Sequence, residues 1–163
     1  FDRPVDRIVS IGAFEHFRRD RYPSFFRRCH DLLHNHGRML LHTIVMPDRE
    51  ALAAQGIPVT HEAVQFAKFI QKKIFPGGQL VPAHVVQHHA EDAGFTVQRV
   101  HSLQPHYART LETWAANLEA NRSEAIRLAG SSMYERYHYY LAGCAHYFRT
   151  GHLDVCQFTL TRG

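Results

Sequence analysis

Three side chains able to hold or move a proton fall within or just past apolar runs of this sequence. Ile11-Gly12-Ala13-Phe14-Glu15-His16-Phe17 places a carboxylate and an imidazole directly after one such run, among apolar neighbours. A carboxylate there is partly desolvated and needs polar partners. His42 lies inside the next run, amid Leu40, Leu41 and Ile44, and Tyr107 follows a third in Gln104-Pro105-His106-Tyr107. Titratable groups in such surroundings are candidates for acid–base work. Each taken alone also has an ordinary reading, as a satisfied core histidine or a structural tyrosine at a helix start.

Other chemistries find less support. The sequence has 14 histidines, and His84 with His88 share a helical face at i, i+4 with His89 beside them, but a third zinc ligand is missing. His61-Glu62 lacks the second histidine of a zinc-protease helix, so these are expected to be surface histidines and no metal is assigned. Neither a Gly-rich phosphate loop nor a GxSxG elbow occurs, which disfavours nucleotide triphosphate and α/β-hydrolase chemistry. The three cysteines, Cys29, Cys144 and Cys156, have no CxxC spacing, and an odd count argues against a disulfide framework and for a reducing, cytoplasmic setting. The tyrosines between 134 and 147 read as packing.

The elements that must position these residues follow from periodicity. Val5 to Ile11 is β-branched and reads as a buried strand ending at Gly12. From Asp20, Tyr22, Phe25, Phe26, Cys29, Leu32 and Leu33 recur at helical spacing up to the stop signal Asn35-His36-Gly37. Arg38 to Met46 is a second strand, closed by Pro47. Strand, helix and strand at this spacing make a βαβ unit, whose ligand side is the C-terminal strand edge, so Glu15 and the end of the second strand should face one crevice. Residues 47–82 depart from the alternation, with a loop to Pro58, a helix near 60–73 and Phe75-Pro76-Gly77-Gly78, and read as an insertion that covers a site. A helix from Pro82 to Gly94 and a strand over 95–100 follow, then helices over about 106–128 and 131–149. The second of these carries Met133, Tyr137, Tyr140, Cys144 and Phe148 on one face. A last strand runs from Val155 to Thr161.

At 163 residues with 45% hydrophobic content the chain is sized for one domain, and no apolar run is long enough for a membrane span. It opens at Phe1 and enters an interior strand within five residues, which suggests a cut chain. Net charge is +4, gathered at Arg18, Arg19, Arg21, Arg27, Arg28 and at Lys68, Lys72, Lys73. These two patches suit anionic lipid surfaces, acidic carrier proteins or nucleic acid, or are plain solvated helix faces.

The run Val5-Asp6-Arg7-Ile8-Val9-Ser10-Ile11-Gly12-Ala13-Phe14-Glu15-His16-Phe17 resembles the strand and loop of mycolic acid cyclopropane synthases and their methyltransferase relatives. The likeness continues through Leu40-Leu41-His42-Thr43-Ile44, Ile74-Phe75-Pro76-Gly77-Gly78, Ser102-Leu103-Gln104-Pro105-His106-Tyr107, Tyr140-Leu141-Ala142-Gly143-Cys144 and Asp154-Val155-Cys156-Gln157-Phe158-Thr159. It covers essentially the whole chain. The resemblance implies the C-terminal part of a Rossmann-like class I methyltransferase of α/β class, with inserted helices over an acyl site and a last antiparallel strand. It implies methyl transfer from S-adenosyl-L-methionine to a cis double bond of a lipid acyl chain, carried by acyl carrier protein or phospholipid. The resulting carbocation loses a proton to close a cyclopropane, or in relatives gives a methyl-branched or oxygenated product. By the family's pattern a bound bicarbonate is the base, held by Glu15, His42, the backbone of Ile44 and Tyr107. Ile11 and Gly12 fall at the cofactor, and Cys144 matches a cysteine sometimes given a catalytic role, although its apolar stripe favours packing.

Departures from the pattern are Arg18 after Glu15-His16-Phe17, Leu33-His34-Asn35-His36-Gly37 in place of a more acidic turn, and a more basic Gln71-Lys72-Lys73. The family's glycine-rich cofactor loop and ribose-binding acid do not occur in these residues, so cofactor binding by the chain alone is expected to be weak or nil. The alternative is a truncated, inactive remnant of such an enzyme. A nucleic-acid module is disfavoured, because no recognition motif accompanies the basic residues, and peripheral contact with a membrane is the other expectation.

Overall fold

A computed structural model describes residues 3–163; Phe1, on which the expectation of a cut chain rests, lies outside them. In chain order the elements are β1 (Val5–Ile11), α1 (Tyr22–Leu32), β2 (Leu33–Val45), α2 (Arg49–Ala54), α3 (His61–Phe69), a π-helical turn (Ile70–Ile74), α4 (Ala83–Asp92), β3 (Phe95–Ser102), α5 (Gln104–Ala120), α6 (Arg122–Ala129), α7 (Ser131–Arg149) and β4 (Asp154–Arg162). They form two compact units, the first made of Phe1–Asp48, Gly77–Leu103 and Asp154–Gly163, the second of Arg49–Pro76 and Gln104–Leu153.

The first unit is built on a sheet of order β1-β2-β4-β3. β1 runs parallel to β2, as the strand–helix–strand reading requires, and β4 is antiparallel to both its neighbours. Side chains alternate across a strand, so Met39, Leu41, Thr43 and Val45 of β2 point to one face, where Leu160, Phe158 and Cys156 of β4 join them in register. Tyr22, Phe26 and Cys29 of α1, Val86 and Ala90 of α4, and Phe14 and Phe95 close that core. Pro23 in the first turn of α1 has no amide hydrogen to leave unpaired.

Two expectations need correction here. β1 is not a buried strand. It is an edge strand bonded to β2, with Val9 62% and Ile11 65% exposed while Ile8 packs on the core. A β-branched run looks the same in either setting, because its neighbours in the sheet come from elsewhere in the chain. The helix also stops earlier than the Asn35-His36-Gly37 signal: α1 ends at Leu32, and β2 begins with an irregular stretch in which Val5 pairs with Leu33 but Arg7 with Arg38. Arg162 explains the early stop. Its guanidinium donates to the carbonyls of His30 (3.0 Å) and Leu33 (2.6 Å), taking up acceptors that a helix end leaves without partners.

In the second unit a short helix, α2, occupies part of the segment expected to be a loop. Thr60 caps α3 by accepting from the Ala63 amide at 3.1 Å. The expected helix over 106–128 is two helices, α5 and α6, broken at Asn121, whose side-chain amide donates to the Asn117 carbonyl at 2.8 Å. α7 packs along α5 and buries Tyr134, Leu141, Cys144, Ala145 and Phe148. Its inward stripe is therefore rotated from the expected one, and Met133 and Tyr137 are exposed. The tyrosines do pack: Tyr139 and Tyr147 lie against Phe66 with ring centres 5.5 and 4.8 Å away, and Tyr140 meets Phe75 edge-on. Phe66 approaches α7 at Gly143, where an added Cβ would stand 2.1 Å from the ring. Among the described residues no helix is long and apolar enough to cross a membrane.

Candidate functional site

β1 ends at Ile11, and Gly12 (φ +64°) turns the chain in the left-handed region that favours glycine. The Gly12 amide donates to the carbonyl of His42 at 3.0 Å, and Ile11 pairs with His42 in the sheet register. The next turn, Phe14–His16, is anchored by Phe14, whose ring stacks on Tyr22 with centres 4.2 Å apart. That anchor sends Glu15 inward. Its side chain is only 8% exposed, and one carboxylate oxygen accepts a 2.7 Å hydrogen bond from the Ile44 amide. The Glu15 carbonyl accepts from the Gln79 amide at 2.9 Å, which ties the turn to the segment before α4. The other carboxylate oxygen is buried with no hydrogen-bond partner. An unpaired buried acceptor costs about 1–3 kcal/mol, so a fold that keeps one needs a reason for it.

His42 is half-buried, and its Nδ1 lies 3.4 Å from the side-chain amide of Gln157, its partner across β4. His42 and Ile44 are two residues apart on one strand and project to the same face. The first unit thus brings together Ile11, Gly12, Glu15, His42 and Ile44 at the C-terminal ends of two parallel strands, the side on which open α/β sheets take ligands. Two residues of this neighbourhood escaped the sequence. Gln157 read only as the polar position of an alternating strand. Tyr22 read as core, yet its hydroxyl is buried without a hydrogen-bond partner, and burial, with the nearby Glu15 charge adding, raises its pKa despite Arg19.

Tyr107 and Cys144 belong to the second unit. The Tyr107 ring lies 4.9 Å from Phe148 and 6.3 Å from Trp114. Tyr140 is its neighbour: burial pushes the Tyr140 phenol up, and Cys144, Tyr107 and Tyr137 add to the shift. Cys144 is buried, and burial pushes its thiol up to about 12. Cys29 is raised to about 11 and Cys156 to about 12, again mainly by burial. A thiol raised this far stays protonated near neutrality and is a poor nucleophile. All three cysteines are expected to resist a thiol-exchange reagent at pH 8 until denaturant is added, which counting released chromophore per chain will check. Because the folded values lie above the ordinary 9.0, the folded state holds protons the unfolded state has lost, and stability should fall as pH rises from about 9 through 12.

His84 and His88 are exposed, and each faces a carboxylate, Asp48 at 3.9 Å and Asp92 at 3.3 Å. They are surface pairs, as the spacing argument expected.

A βαβ unit whose sheet is completed by a last strand running antiparallel between two others, with a buried carboxylate at the strand ends, is the C-terminal part of a Rossmann-like methyltransferase fold. The solved cyclopropane synthase MmaA2 from Mycobacterium tuberculosis superimposes on 99% of this chain with a TM-score of 0.97 and 51% identity, and the chain covers 57% of it. The mycolic acid cyclopropane synthase CmaA1, complexed with SAH and CTAB, gives a TM-score of 0.93 and 52% identity over 99% of this chain and 57% of its own. Cyclopropane mycolic acid synthase 3 of Mycobacterium tuberculosis is 54% identical over 162 residues, 99% of this chain and 56% of the relative. The family model for mycolic acid cyclopropane synthetase matches residues 1–158, and the chain belongs to that family. It spans about half the length of the relatives it matches.

Proposed function

We propose that this chain is the base-holding part of an S-adenosyl-L-methionine-dependent methyltransferase that acts on the cis double bond of a lipid acyl chain, giving a cyclopropane or methyl-branched product. The observation that carries the reading is Glu15: a buried carboxylate, fixed through one oxygen by the Ile44 amide, with its second oxygen unsatisfied beside His42. A small anion bearing one O–H group fits that oxygen. Bicarbonate donates its hydroxyl to Glu15 and can accept from the His42 imidazole and the Tyr107 phenol. When bound it supplies the base that takes the proton lost on ring closure. The Ile44 amide is already committed to Glu15, so its part is to hold the carboxylate in place rather than to hold the base itself. Ile11 and Gly12 contribute the exposed strand end beside which the donor's methyl group is presented, and no atom lies within 4 Å of the place a Gly12 side chain would occupy. Cys144, as a neutral buried thiol, packs α7 and stays out of the chemistry.

In the reaction the sulfonium–methyl bond breaks as the methyl carbon bonds to one alkene carbon. The cation left on the other carbon gives up a proton from the new methyl group, and the ring closes. A base in an apolar site must be pinned by polar groups to meet that cation. Glu15, His42 and Tyr107 are the groups proposed to pin it. The acyl chain is carried on acyl carrier protein or phospholipid in a cytoplasmic setting, which suits a chain whose three cysteines are free.

The test is complementation. The chain alone, and the chain mixed with the segment of cyclopropane mycolic acid synthase 3 that it does not match, are assayed for S-adenosyl-L-methionine binding by calorimetry and for methyl incorporation into unsaturated lipid. Weak or absent cofactor binding by the chain alone, with methyl incorporation by the mixture, is expected. Micromolar cofactor affinity of the chain alone would contradict the first part, and no methyl incorporation by a folded mixture would contradict the second. The second result would favour an inactive remnant, the reading to which the exposed Val9 and Ile11 on the free edge of β1 also point.

A further inference from the structure

The sequence carries two basic patches, and the structure separates them. In the arginine patch Arg18 and Arg21 share Asp20, at 3.2 and 3.9 Å. Other exposed arginines are paired as well, Arg127 with Glu124 and Arg149 with Glu112. Lys68, Lys72 and Lys73 are exposed and, among the described residues, have no carboxylate within ion-pair distance. Glu62, the acidic residue of the same helix, acts on Tyr147 instead.

The winding of this segment sorts its side chains. A regular α-helix drifts by about 40° for every four residues. The turn at Ile70–Ile74 is wider, its bond running from the Phe75 amide to the Ile70 carbonyl at 2.9 Å, and it takes up that drift. Phe66, Ile70 and Ile74 therefore form an inward row at four-residue spacing, buried or half-buried, while Val64, Lys68 and Lys72 form an outward row and Lys73 flanks it. Val64 is 38% exposed, and the exposed Tyr139 of α7 packs edge-on to Phe69 with ring centres 4.8 Å apart. Glu135 and Arg136, one turn before Tyr139, cancel each other.

We infer that this lysine ridge is where the protein rests on an anionic lipid surface. Unpaired lysines, with no arginine among them on the ridge, are flexible point charges suited to a diffuse field, whereas recognition of fixed carboxylates or phosphates favours the planar guanidinium. Lysine stems and the interleaved Val64 and Tyr139 suit the boundary between headgroups and acyl chains. The preference for lipid over an acidic protein rests in part on the acyl-lipid reading above, but the binding measured below needs neither cofactor nor turnover, so the two can fail separately.

Co-sedimentation of the full chain with phosphatidylglycerol-rich vesicles, and with pure phosphatidylcholine vesicles, tests the ridge. Binding to the first that weakens with salt, and none to the second, is expected. Each lysine near such a surface contributes on the order of fivefold in partition, so the triple variant K68Q/K72Q/K73Q should bind about a hundredfold more weakly. Arg18→Gln, in the patch already paired with Asp20, should bind as the parent does. The inference is overturned if the triple variant keeps the parent's affinity, if Arg18→Gln weakens binding as much as the triple change, or if the folded chain ignores anionic vesicles and binds an acidic acyl carrier protein instead.

Discussion

Glu15→Gln is expected to lower methyl incorporation in the complemented assay by about 10²- to 10⁴-fold, the usual worth of a correctly placed acid–base group. Glutamine keeps an oxygen for the Ile44 amide, whose bond to Glu15 is 2.7 Å, but it turns a donor toward the position where the unpaired carboxylate oxygen now stands. An anion with a hydroxyl to give then meets a donor where it needs an acceptor. Stability should move the other way, unchanged or raised, because a buried charge without full compensation has been removed. Opposite signs in the two measurements distinguish a residue kept for chemistry from one kept for packing. Turnover within a few-fold of the parent would remove Glu15 from the mechanism.

The second large effect is at Gly143. Glycine to alanine inside a helix normally stabilises by roughly 1 kcal/mol. At Gly143 the new methyl would sit 2.1 Å from the Phe66 ring, and that ring is hemmed by Tyr139 and Tyr147. Gly143→Ala is therefore expected to destabilise by about 1–3 kcal/mol, the range for overpacking a filled core, as read from urea denaturation. Phe66→Leu in the same chain should recover part of that loss, giving a coupling term between the two sites. An alanine variant more stable than the parent would show that Phe66 has somewhere else to go.

What could be read beforehand was what is local. Alternation in Met39-Leu40-Leu41-His42-Thr43-Ile44-Val45 and the aromatic spacing of α1 declare strand and helix through residues a few positions apart. The chemistry of Glu15 was visible for the same reason, since its aromatic flanks predict desolvation. Its partner was not: the donor is a backbone amide 29 residues away, and an amide leaves no mark on residue type. Gln157 is similar, a polar strand residue whose meaning depends on standing opposite His42. The exposure of Val9 and Ile11, the break at Asn121 and the rotated stripe of α7 depend on which element lies alongside, and only tertiary packing decides that. The six-residue α2 buries Leu52 alone, too little for a period to show.

The wide turn at Ile70–Ile74 makes the length of this segment matter more than its composition. A deletion of one residue there would let ordinary helical bonding close, and everything beyond would swing by about 100° about the axis. Ile74 would leave the interior and an ammonium group would be driven toward it. Conservative replacements along this stretch should thus be tolerated where the loss of a single codon is not.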